Sequence, residues 1–195
     1  MSLDYILGEA FMKALNLLLV LAVIGLSFTS TSLLANDNSK LLAAYQADQE
    51  ARSEENLKSG NFPQYSDEMT RRLFVFEELA NGRISTAADF VHAAVILQHT
   101  NLERVGEKLV SMGNENHLLA FYLAKRAAEL NHPDGRWLMA ASYNRYIENR
   151  GLSLESYGVA YSDGELKAAN KDISNVDRTT KGLPPLPAIA YERDE

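Results

Sequence analysis

The 195-residue chain contains no cysteine. Disulfide staples, thiolate metal sites and cysteine nucleophiles are therefore excluded. The fold must stand on its core alone, and about 160 residues suffice for that. Basic residues are also in deficit: 19 Lys and Arg face 26 Asp and Glu, a formal net charge of −7. Such a balance offers nothing to nucleic acid or to an anionic membrane surface. No P-loop, dinucleotide fingerprint, HExxH or GxSxG is present, so no cofactor is called for. There is no strand-like alternation of useful length and no long biased tract.

One apolar run stands out, Ala14 to Phe28, about 15 residues long. That is the length of a signal-peptide core and short for a membrane span. Asp4 and Glu9 make the first eleven residues wrong for a signal peptide, whereas a start at Met12 gives the basic head Met12-Lys13. The polar stretch that follows ends in Ala35. We read residues 1–35 as a signal peptide with its true start at Met12, cleaved near Ala35. The protein is then exported, periplasmic or extracellular, and meets the membrane only through this segment. Loss of Lys13, Asp4 and Glu9 leaves 18 basic against 24 acidic residues.

The rest is organised around Thr86 to Thr100, TAADFVHAAVILQHT. Thr86 with Asp89 is a capping-box variant, placing a helix start at Ala87. At about 100° per residue, Phe90, Ala93, Ala94 and Leu97 cover one side and Ala88, Val91, Val95 and Ile96 most of the rest. A helix apolar nearly all round is central and buried. His92 and His99 interrupt it on one face, about 10.5 Å apart along the axis.

Around this helix the punctuation predicts five others. They are Ser39 to about Leu57, Asp67–Ala80 capped by Ser66, Leu102–Met112 capped by Asn101, Glu115–Asn131, and a helix from Pro133 to about Arg150. Leu73–Phe76 with Leu79, and Trp137 with Leu138, Tyr143 and Tyr146, are expected to face inward. Asp163–Asn170 and Ile173–Lys181 read as short helices, and Pro184 to Pro187 as extended. The expected architecture is an all-α, single-domain bundle of about six helices over residues 36–187. Its C-terminal tail is largely irregular, and residues 188–195 are frayed. The pair from His117 to Arg150 resembles one tetratricopeptide-like hairpin; with no second copy, a solenoid is not expected.

Five pieces in order look like a bacterial all-helical family catalogued as a domain of unknown function. Its members carry a DQxxR motif, an H…QH pattern, a DR pair, a YGTQ loop and a VDxR…GLPPL tail. Here these read Asp48-Gln49 with Arg52, His92 with Gln98-His99, Asn144-Arg145, Tyr157-Gly158, and Val176-Asp177-Arg178 with Gly182 to Leu186. Asn144 stands where Asp is usual, and Val159-Ala160 replaces Thr-Gln. The resemblance implies no reaction; it singles out residues.

Those residues make the sharpest chemical expectation. Asp48, Gln49 and Arg52 from the first helix should meet Gln98 and His99 from the central one, with Arg145 and Tyr157 above. An Asp48–His99 pair could orient an imidazole for acid–base work in a small hydrolase, and Arg52 or Arg145 could hold an anion. The blander expectation is a buried hydrogen-bond network that pins helix register, in a binding or structural module. Such a module would take a peptide or protein partner on its hairpin surface, near Trp137 and Tyr143. No metal is expected, because His92 and His99 cannot chelate one ion and no ligand spacing surrounds them. His117, near a helix N-terminus, is expected to be solvated or capping. The oligomeric state is left open.

Overall fold

The computed structural model describes residues 36–191 apart from Asn101, Glu107 and Met112. Residues 1–35, expected to be a signal peptide, and residues 192–195 lie outside the described residues. The described chain is mostly helical, an all-α arrangement carrying two small hairpins. Helix α1 spans Ser39–Ala51, and the Asn38 side chain accepts the backbone N–H groups of Lys40 and Leu41, both at 3.1 Å. The helix expected to reach Leu57 stops at Arg52, because Ser53 leaves helical geometry and recaps a separate α2, Glu54–Lys58. Helix α3, Tyr65–Ala80, begins before the expected Ser66 cap. Gly82 (φ +65°) follows it in the left-handed conformation that only glycine takes without cost.

Central helix α4 is Ala87–His99, with both halves of the Thr86/Asp89 capping box formed. Asp89 is fully buried and also accepts the Asn38 N–H, which ties the start of α1 to the start of α4.

Two expected helices are hairpins instead. Residues 102–111 form β1 (Leu102–Val105) and β2 (Lys108–Ser111), antiparallel, with Val105 opposite Lys108 and Leu102 opposite Ser111. The reason is Gly106 (φ +65°), which costs about 1 kcal/mol inside a helix but opens a two-residue loop freely. The expected helix at Asp163–Asn170 gives way to a second hairpin, β3 (Val159–Ser162) with β4 (Glu165–Ala168). Its loop is Asp163-Gly164, with φ +55° and +80°, the pair of positive angles that an Asp-Gly hairpin turn requires.

Helices α5 (Asn114–Glu129) and α6 (Gly135–Asn149) make the expected antiparallel pair. A short α7 (Leu154–Tyr157) and α8 (Asn175–Thr180) complete the helices, the latter with a Ser174/Asp177 capping box. The tail from Gly182 is extended but pinned. Tyr143 donates to the Pro184 carbonyl at 2.8 Å, and the Asn175 amide brackets Leu186. Ala188–Tyr191 form a 3-10 turn with Ala190 fully buried, so the tail expected to fray from residue 188 is packed as far as Ala190.

Leu97, Ala93, Ala94 and Ile96 of α4 lie in one core with Leu41, Val75, Phe121, Ala124, Leu138 and Ile147. Two expected core residues face out: Leu73 is 56% and Trp137 52% exposed. In α3 the buried side is set by Glu68, Val75 and Glu78, and Leu73 lies about 200° round from Val75. Trp137 points away from the Tyr146 face of α6 for the same reason.

Candidate functional site

The α4 face that carries both histidines packs along α1, which runs parallel to it. At one end His92 stacks on Tyr45, ring centroids 4.5 Å apart. At the other, His99 Nδ1 lies 2.7 Å from Asp48 Oδ2. The two histidines therefore belong to different environments. His92 is a packed ring, and burial pushes its pKa below the usual histidine value.

Asp48 is buried, with a side chain only 2% exposed. Its carboxylate accepts from Arg52 Nη1 at 2.6 Å, from His99 Nδ1 and from Gln49 Nε2 at 3.2 Å. An ionised carboxylate only accepts, so His99 must donate from Nδ1. The neutral imidazole then keeps its lone pair on Nε2. That atom has no partner among the described residues and is not enclosed, and the His99 side chain retains 21% exposure.

Arg52 is fully engaged. Besides Asp48, it pairs with the Glu68 carboxylate through Nη2 and donates to the His99 carbonyl at 2.9 Å. Arg145 Nη1 donates to the Gln98 carbonyl at 3.0 Å. Two guanidiniums thus cap the last carbonyls of α4, which have no partner inside the helix and carry its negative dipole end. Gln98 enters the site through this backbone oxygen. Burial, then the nearby Arg52 charge, push the Arg145 pKa below the usual arginine value.

Three members were not foreseen as part of the site. Glu68 and Arg71 come from α3, where their i, i+3 spacing put them on one face. Arg71 Nε lies 3.7 Å from Asp48 Oδ1, and neither Nε nor Nη2 has a hydrogen-bond acceptor although both are buried. The third is His117. It does sit in the first turn of α5, yet it is fully buried, and neither ring nitrogen has a partner. The expectation of a solvated or capping residue is therefore wrong. Desolvation, with the charges of Arg145 and His99, lowers its pKa to about 4.

Tyr157 does not join this group. Its carbonyl accepts from the buried Arg178, which also donates to the Tyr143 hydroxyl at 3.2 Å. Tyr143 and Arg145 are two positions apart on α6, hence on opposite faces. The Asn144 amide clamps the loop after Tyr157: its Nδ2 donates to the Val159 carbonyl at 2.8 Å and its Oδ1 accepts the Val159 N–H at 2.9 Å. An aspartate there could only accept. Tyr143 is fully buried, so no aromatic groove joins it to Trp137. A cleft of about 400 Å³ lies beside the α5–α6 pair instead, lined by Lys125, Arg136, Met139, Leu166 and Pro185.

No family model, curated protein or solved structure matches this chain. The site must be read from its own chemistry. Among the described residues no helix is long and apolar enough to cross a membrane.

Proposed function

We propose that the chain is an exported binding module whose recognition point is the solvent-facing edge of the Asp48–His99 network. The observation that carries the reading is the His99 ring, with Nδ1 held by a buried carboxylate and Nε2 left without a protein partner. A ring nitrogen that faces solvent leaves one hydrogen-bonding position of the network open to a ligand. Export rests on Met12-Lys13, the apolar core Ala14 to Phe28, and Ala35.

The test is the stability of two single variants in denaturant melts. Asp48→Ala removes the buried acceptor shared by Arg52, Gln49 and His99, leaves Arg52 only Glu68 and the His99 carbonyl, and should cost roughly 3–5 kcal/mol. His99→Ala leaves Asp48 with Arg52 and Gln49 and should cost less than about 1 kcal/mol. Equal losses would reduce His99 to a structural pin and overturn the reading.

A second reading, acid–base catalysis by His99, is favoured by the Nε2 lone pair that the Nδ1–H tautomer leaves at the surface. It requires hydrolysis of an activated ester such as p-nitrophenyl acetate that Asp48→Asn slows. Identical rates in wild type and His99→Ala would remove it.

A further inference from the structure

The polar groups at the C-terminal end of α4 do not balance. Arg52 pairs with two buried carboxylates, Asp48 and Glu68, and Arg71 approaches the first of them, while Arg145 has Arg52 and Glu148 as its charged neighbours. Asp48 already accepts from Arg52, His99 and Gln49. Arg71, with a side chain 12% exposed, reaches Asp48 only at 3.7 Å, and its buried Nε and Nη2 have no hydrogen-bond acceptor among the described residues. A guanidinium has five donors in a rigid fork, and leaving them unpaired away from water is costly. His117 is fully buried, and neither of its ring nitrogens has a partner among the described residues. The two belong to neighbouring turns, because Arg72 Nε donates to Asn116 Oδ1 at 2.9 Å and so ties the Arg71 turn of α3 to the His117 turn of α5. Arg145 and His99 are the titratable groups near enough to influence His117. Arg71, His99, His117 and Arg145 are thus gathered at one end of α4, where Arg71 and His117 hold buried donors without acceptors among the described residues.

We propose that this cluster is a binding site for a single oxyanion, the carboxylate or phosphate group of a small-molecule ligand, with Arg71 as its anchor and His117 and Arg145 as flanking donors. The anion supplies the acceptor that the buried Arg71 Nε and Nη2 lack among the described residues. His99 Nε2, as an acceptor, then receives a hydroxyl or amine hydrogen elsewhere on the same ligand. The inference rests on the binding-module reading and names the ligand class for it.

The experiment is an NMR titration of the four histidine rings in the full-length protein at pH 7.5, with inorganic phosphate and separately with acetate, ionic strength held constant with sodium chloride. The His99 and His117 resonances should move saturably with at least one anion while His92 and His132 stay still. Arg71→Gln should weaken the midpoint by about tenfold or more, the loss of one charge-assisted pair, and Arg71→Lys should fall between. Arg83→Gln, remote on the Glu78 pair, should titrate as wild type. Four rings moving together without saturation, or Arg71→Gln titrating like wild type, would overturn the site. The wild-type titration decides even if Arg71→Gln fails to fold. Silent rings alongside a stable His99→Ala would end the oxyanion proposal and leave the binding-module reading standing.

Discussion

At the scale of single residues, His117 gives the clearest prediction. Its pKa is about 4 in the folded protein against 6.5 for the ordinary side chain. Between those values the unfolded chain takes up a proton that the folded chain refuses, so stability is full above pH 6.5 and declines as pH falls toward 4. The loss from this one group is roughly 3 kcal/mol. His92, lowered by burial, acts in the same direction. Denaturant melts at pH 7, 5.5 and 4.5 should show the decline, and His117→Gln should flatten it. A variant with the wild-type slope would mean that His117 is already protonated or solvated in the native state. The Asp48–His99 contact was legible from the sequence: a nearly all-apolar helix cannot carry an unpaired imidazole, and α1 offers an acid at helical spacing from a base. His117 was not legible. Its burial depends on α4 packing against α5, which no local pattern records.

At the scale of elements, the α5–α6 pair is set by one missing side chain. A Cβ at Gly135 would lie 2.5 Å from the Ala128 backbone nitrogen and 2.7 Å from its Cα. The obstacle is backbone, so it cannot swing aside. Gly135→Ala should therefore destabilise by about 1–3 kcal/mol, although alanine is the better helix former. A neutral or raised melting temperature would show that the pair can separate at no cost. The two hairpins teach a related lesson. Gly106 and Asp163-Gly164 are strong local turn signals, which the Asn101 cap and Gly113 stop hid in the first case and a weak pattern in the second. The backbone angle wins because a residue with positive φ does not fit into a right-handed helix. The helices with complete caps, α4 and α8, fell close to where their capping residues placed them.

At the scale of the whole molecule, the prediction concerns its ends. Protein isolated from its native cell should give an N-terminus near Asn36 by mass spectrometry. A mature species that retains Leu17 to Leu26 would refute cleavage. The tail makes the opposite point. A run such as GLPPLP carries no periodicity and reads as loose, yet Leu183, Leu186 and Ala190 are buried and Tyr143, Tyr146 and Arg150 hold its carbonyls. These bonds come from a helix more than 30 positions earlier. Chain order therefore says little about where the folded unit ends.

The sequence by itself determined the class of fold, the central helix, the helix pair after it and the acid–base partners across α1 and α4. Each of these is written in local chemistry: caps, glycine and proline punctuation, and apolar spacing that repeats with the helix. Only the tertiary structure decided which polar residues share an environment. It separated His92 from His99, moved Tyr157 to the far side of α6, and brought Glu68, Arg71 and His117 to the end of α4. Those outcomes depend on which faces meet and how closely, and burial and charge crowding arise only once the faces have met.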